Sequence, residues 1–194
     1  RTEQQIQNDT DKEFLRTEPL GKLLLKLALP TVAAQLINML YNIVDRIYIG
    51  HISGVGASAL TGVGLTFPII TLISAFSAFV GTGGAPLAAI WMGKKDRKHA
   101  ERILGTGVFM LLCFSVVLMA AFFLFQKPLL YAFGASDATI GYAMDYLTIY
   151  LIGTVFVQLA LGLNPFIIAQ GRSRTAMMSI VIGAVINIGL DPVF

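Results

Sequence analysis

Apolar residues run through this chain in long blocks, separated by short clusters of Gly, Ser, Pro and charge. A bilayer core needs ~20 apolar residues of helix. On that measure the pattern predicts spans over about 23–49, 55–92, 103–125, 138–169 and 175–194. The first block ends LALPTVAAQLINMLYNIVDRIYIG, residues 27–50, and is not uniformly apolar. On a helix, Gln35, Asn38, Tyr41, Asn42, Asp45 and Tyr48 follow steps of three, four and seven and form one polar stripe. Leu36, Leu40, Ile43 and Ile47 take the opposite side. A carboxylate at the centre of a membrane helix costs roughly 2.5–3.5 kcal/mol on insertion scales, so its side of the helix should face protein or a wet cavity. Two readings stand: a hydrogen-bonded seam between helices, or the wall of a substrate or ion pathway.

The second block is too long for one perpendicular crossing. A continuous helix over 55–92 would be ~57 Å long against a ~30 Å core, so tilt, a break or extension beyond the membrane is expected. Pro68 and the run Gly81-Thr82-Gly83-Gly84-Ala85-Pro86 are the expected bending sites. That run lacks the Gly-Lys-Ser/Thr ending of a phosphate-binding loop, and close helix packing is the better reading. The third span holds no ionised residue and is expected to be a lipid-facing support. Residues 93–102 and 126–137 read as turns, which places His99, like His51 at 51, in a loop.

Composition agrees with the pattern. Of 194 residues 56% are hydrophobic and 13% charged, a membrane composition. The single cysteine, Cys113, has neither a disulfide partner nor metal-ligand spacing. The net charge of +3 sits at helix ends and marks topology rather than a nucleic-acid surface, so no nucleic-acid partner is expected. Arg1, Lys12, Arg16 and Lys22 lie in the leading segment, Lys94, Lys95, Arg97, Lys98 and Arg102 after span two, and Arg172 and Arg174 after span four. The other two turns hold only Lys127. Alternate basic loops predict a multi-pass protein with residues 1–22 as a cytoplasmic tail and residues 23–194 as a transmembrane lobe. The start at Arg1 and the end inside an apolar run lead us to expect a fragment. No signal peptide is legible in the polar first residues.

The fifth span holds the second informative acid. Ser179, Gly183, Asn187 and Asp191 are four apart and stack on one helix face. Pro192 cannot donate a backbone bond, which leaves the Ile188 carbonyl open to water or a cation. Asp191 and Asn187 are therefore a candidate Na+ site. With helix one and helix five both rising outward, Asp45 and Asp191 fall in the outer half of the bilayer. Asn164 and Asn187 flank the inner turn between spans four and five. Arg46 faces away from Asp45 and reads as an interfacial anchor. No catalytic constellation and no cofactor site is legible, so an enzyme is not expected.

These residues carry a family resemblance. The stretches VDRIYIGHISGVGASALTGVGLTFPI, GTGGAPLAAIWMGKKDRKHAERILG, PLLYAFGAS, YAMDYLTIYLIGTVF and LGLNPFIIAQGRSRTAMMSIVIGAVINIGLDPVF resemble, in order and spacing, the first half of a MATE (multidrug and toxic compound extrusion) transporter of the bacterial MepA-like branch. The resemblance covers nearly the whole chain after residue 18. It implies an all-α polytopic membrane protein in the bacterial plasma membrane, with about five helices forming most of one six-helix lobe of a two-lobe, twelve-helix transporter. It implies antiport of small amphipathic organic cations against H+ or Na+, and the C-terminal lobe of the same polypeptide as partner. The family's first-helix acid falls on Asp45, its fifth-helix acid on Asp191, and the asparagine one turn earlier on Asn187. The fourth-helix asparagine falls on Asn164, and tyrosines fall on Tyr41 and Tyr146. Asn38 and Asn42 complete the expected cavity stripe. One departure is Ile168, where relatives often carry arginine.

A lipid-linked oligosaccharide flippase of the same superfamily is the main alternative, although its cavity should be cationic to hold pyrophosphate. An intramembrane aspartyl protease would need Tyr-Asp and Gly-x-Gly-Asp, where this chain reads Val44-Asp45 and Gly189-Leu190-Asp191. A purely structural subunit would have no need of acids on polar faces.

Overall fold

The computed structural model describes residues 19–51 and 54–190, and for Leu23, Lys26, Leu27, Tyr41, Ala184 and 186–190 it describes the backbone alone. The described chain is five helices and no strand: α1 (Leu20–Gly50), α2 (Gly56–Gly93), α3 (Arg97–Ala132), α4 (Ile140–Ala169) and α5 (Ser173–Leu190). Three of them, α2, α3 and α4, are long and apolar enough to cross a membrane. Contacts divide the chain into two compact units, Ile43–Phe166 and the described remainder.

In the larger unit the buried positions recur every three or four residues, as a single helix face requires. On α2 they include Thr66, Ile69, Ile73, Ser77 and Val80; on α3 Leu111, Ser115, Leu118 and Phe122; on α4 Ala143, Leu147, Leu151, Thr154 and Gln158. Ile69, Ile73, Leu118, Phe122, Leu130, Ala143, Leu147 and Leu151 form one apolar core. So α3 is more than the outward support expected of it. One of its faces enters the core, while Phe109, Val116, Val117 and Leu124 remain exposed.

The glycine run of α2 works as a packing surface. A Cβ on Gly81 would lie 2.8 Å from the Gly162 carbonyl oxygen of α4 and 2.9 Å from the Pro165 ring. A Cβ on Gly84 would meet the Phe166 ring at 2.5 Å, and one on Gly162 would meet the Leu111 side chain at 2.5 Å. Real Cβ atoms do not approach so closely, so glycine lets α2 and α4 meet backbone to backbone at Gly81 and makes room for the Phe166 and Leu111 side chains at Gly84 and Gly162. The helix itself does not break: α2 runs 38 residues through both Pro68 and Pro86.

Helix ends differ from the pattern at two places. The third span, expected at 103–125, belongs to a helix that starts at Arg97 and ends at Ala132, so the turns expected at 93–102 and 126–137 shrink. Pro128 does not stop it, because Leu130 just beyond is fully buried in the core and packing holds that turn. The stop comes at Gly134, with φ +99°, where Gly134 N–H donates to the Tyr131 carbonyl and Ala135 N–H to the Leu130 carbonyl. This is a Schellman ending. The same pair of bonds closes α2, with Lys95 at φ 60° in the place usually held by glycine.

The turn from α2 to α3 is accordingly short and well tied. Asp96 caps α3 by accepting from the His99 backbone N–H at 3.1 Å. Those donors hold its carboxyl below the ordinary value of 3.8, the backbone bond from His99 being the largest cause. His99, expected in a loop, lies in the first turn of α3. Its Nδ1 pairs with Asp96 Oδ2 at 2.6 Å, and its ring stacks on Trp91 with centroids 4.6 Å apart. Lys94 Nζ lies 4.7 Å from the centre of the Trp91 ring.

Candidate functional site

The polar stripe of α1 lies on a continuous helix, but its members are not equally enclosed. Asn38 and Asp45 are half-buried, on the side that also holds the buried Ala34 and the half-buried Ile37 and Val44. Gln35, Asn42 and Tyr48 are exposed. Asn42 Nδ2 donates to the Asn38 backbone carbonyl one turn back, at 2.7 Å. Leu36, Leu40, Ile43 and Ile47, placed opposite the stripe from spacing alone, are all exposed. Burial thus follows the helical period, with the acid toward protein and the leucines away from it. Tyr41 is on the same helix, and its side chain lies outside what is described.

Asp45, Tyr146 and Asn164 belong to the larger unit. All three are half-buried, and each is engaged by a neighbouring group. Tyr146 follows the exposed Asp145 near the start of α4, and Asn164 precedes Pro165 close to its end. Eighteen positions of α4 separate the two, about 27 Å at helical rise, so they belong to different depths. Asn187 falls on α5 with its side chain undescribed, and Asp191 lies outside the described residues, as does the candidate Na+ pair they would form. Among the described residues no group of three His, Cys, Asp or Glu side chains gathers as metal ligands do. Arg46 is exposed on α1. Ile168 is half-buried in the last turn of α4 and offers no charge.

A polar centre that the pattern did not single out lies between α2 and α4. Gln158 is 0% exposed, its Nε2 donates to the Ile73 carbonyl at 3.2 Å, and its Oε1 accepts from the equally buried Ser77 hydroxyl. The available signal was an amide alone inside the apolar run TVFVQLALG. Nearby hydroxyls close on their own helices, Thr66 on the Val63 carbonyl, Ser115 on Leu112 and Thr154 on Tyr150. Each of these side chains bonds within the protein, and the Gln158 pair joins α2 to α4. An apolar groove of about 350 Å³ lies along α3, lined by Ala121, Phe122, Phe125, Pro128 and Leu129, and includes none of the expected site residues.

Comparison with known proteins places this arrangement. A family model described as MatE matches residues 30–193. The chain is similar to an FAD transporter of Shewanella oneidensis, 25% identical over 182 residues, covering 94% of this chain and 40% of that protein. It is similar to the multidrug export protein MepA of Staphylococcus haemolyticus, 26% identical over 180 residues, covering 93% and 39% respectively. A crystal structure of MATE in the bent conformation matches with a TM-score of 0.84 at 27% identity, over 95% of this chain and 40% of that one. The chain therefore spans about 40% of the length of these relatives.

Proposed function

The chain belongs to the MatE family, and from that premise we propose that it forms the N-terminal lobe of an exporter that moves organic cations out of the cell against H+ or Na+. The observation that carries this reading is Asp45, a half-buried carboxylate on the enclosed side of a helix whose other side is leucine and isoleucine. Family membership and a share of about 40% of the relatives' length support a second lobe facing the first. The alternation of basic loops supports a cytoplasmic N-terminus.

The chemistry follows from competition for negative charge. A carboxylate withdrawn from water takes up a proton more readily than an exposed one. As an anion it holds a cationic drug; once neutralised by H+, or occupied by Na+ with help from Asn187, it releases it. Asp45 and Asp191 do the exchanging, and Asn38, Tyr41, Asn42, Tyr146 and Asn164 supply hydrogen bonds and walls. Ion entry from outside then drives release there, and bound drug must lower ion affinity by the same factor that the ion lowers drug affinity. Alternating access moves one bundle against the other around this site.

The test is efflux of a fluorescent cation from vesicles holding the full-length protein. Asp45→Asn and Asp191→Asn should each abolish ion-driven efflux while leaving membrane insertion intact. Full activity in the double variant would end the proposal. A second reading, export of an anionic dinucleotide, is favoured by the relative named as an FAD transporter. It predicts the opposite result, with FAD efflux retained or raised once either acid is neutralised.

A further inference from the structure

The most strongly charged surface of the described chain is the turn between α2 and α3, and the proposed transport chemistry does not use it. Five cations fall within residues 94–102: Lys94, Lys95, Arg97, Lys98 and Arg102. The two anions there are already spent. Asp96 pairs with His99 at 2.6 Å and caps the helix, and Glu101 pairs with Arg97 at 2.9 Å. Lys94 lies against the Trp91 ring. Lys95, Lys98 and Arg102 are exposed and make no ion pair among the described residues.

Their direction is fixed by the helix. Ala100 is buried, so its side of α3 faces the bundle. At 100° per residue, Lys98 and Arg102 each stand about 160° around the helix from Ala100. They point away from the protein, side by side at a spacing of four. Their depth is fixed too. Ile103 opens the apolar run of α3, so Arg102 stands at the border of the hydrocarbon and Lys98 about 6 Å beyond it. The headgroup layer occupies about 5–8 Å on each side of the core. Trp91, half-buried at the end of α2, is the kind of side chain that settles at this level.

We propose that Lys95, Lys98 and Arg102 form a docking surface for the phosphate of anionic phospholipids, with Trp91 as its interfacial anchor. Zwitterionic headgroups bring a cation of their own close to their phosphate and fit less well against three unopposed cations. The role is separate from transport chemistry and rests only on α2 and α3 crossing the membrane.

The experiment uses the full-length protein, with any tryptophan other than Trp91 replaced by phenylalanine, in bilayers of mixed phosphatidylglycerol and phosphatidylcholine at fixed pH. One lipid at a time carries brominated acyl chains, and quenching of Trp91 then reports which lipid sits beside it. A cation near an anionic surface is worth about 1 kcal/mol, or about fivefold per cation as a ceiling. A relative association of phosphatidylglycerol over phosphatidylcholine of about threefold or more is expected in the native protein. It should fall to about one in the Lys95→Gln, Lys98→Gln, Arg102→Gln variant. Raising salt from ~0.05 to ~0.5 M shortens the screening length several-fold and should lower the native ratio without any substitution. An equal ratio in native and variant proteins would overturn the proposal. So would loss of the preference on adding millimolar inorganic phosphate at constant ionic strength, which would make this a site for free anions.

Discussion

At the scale of single residues, the buried polar side chains of α2, α3 and α4 have their partners built in. Gln158 shows how this works, since its amide donates to one turn of α2 and accepts from the next, through the Ile73 carbonyl and the Ser77 hydroxyl. A hydrogen bond between membrane helices is worth about 0.6 kcal/mol on average and about 1.7 at most. The substitution also leaves the buried Ser77 hydroxyl without its acceptor. Gln158→Leu should therefore destabilise by about 1–2 kcal/mol, measured by reversible unfolding of the full-length protein in mixed micelles. Adding Ser77→Ala should cost less than it does alone, because the serine has already lost its partner in the first variant. Strict additivity would mean that the two side chains do not work as a pair. Asp45 is also engaged by a neighbouring group, but it is only half-buried where Gln158 is fully buried.

At the scale of the element, α1 differs from the three helices that follow it. Those bury one regular face against each other, whereas α1 carries a stripe with Asn38 and Asp45 half-buried and Asn42 exposed. Leu36 and Leu40, on the far side, are 57% and 61% exposed. In a bilayer those leucines meet lipid, and the asparagines meet water if the stripe lines a cavity. Single cysteines at Asn38 and Asn42 should then react with a membrane-impermeant thiol reagent in the full-length protein, and cysteines at Leu36 and Leu40 should react at least about tenfold more slowly, since thiolate formation needs water. Equal rates in both sets would remove the cavity stripe.

At the scale of the whole molecule, the chain matches about 40% of a transporter's length, and the proposed mechanism needs one lobe to move against another. Residues 1–194 alone should therefore insert in a membrane without carrying out transport. Proteoliposomes containing only this chain should show no drug release when an ion gradient is applied, beyond that of protein-free vesicles. Ion-driven efflux from them would show that one lobe suffices.

Much of this was legible in the sequence because a bilayer imposes simple demands. Apolar run length set the helices, loop cations set the expected orientation, and the cost of an intramembrane acid singled out Asp45. Helical spacing also predicted that Leu36, Leu40, Ile43 and Ile47 would share one side, and all four are exposed. What spacing could not supply was which apolar or small residue meets which. The run from Gly81 to Pro86 offered both a bend and a contact. Only the approach of Gly162, Pro165 and Phe166 from α4 decides for contact, since a missing Cβ matters only when another chain segment comes near enough to use the space. Pro128 and Lys95 make the same point at helix ends. Local preference favoured a stop at the proline and glycine at the positive φ, yet a buried Leu130 carries the helix past the one, and a tightly bonded turn holds the other at φ 60°. Gln158 is the clearest case. Its type announced that a polar partner was required, and only the packing of α4 on α2 named Ser77 and the Ile73 carbonyl, because hydrogen bonds between distant segments depend on register and direction that no single segment encodes.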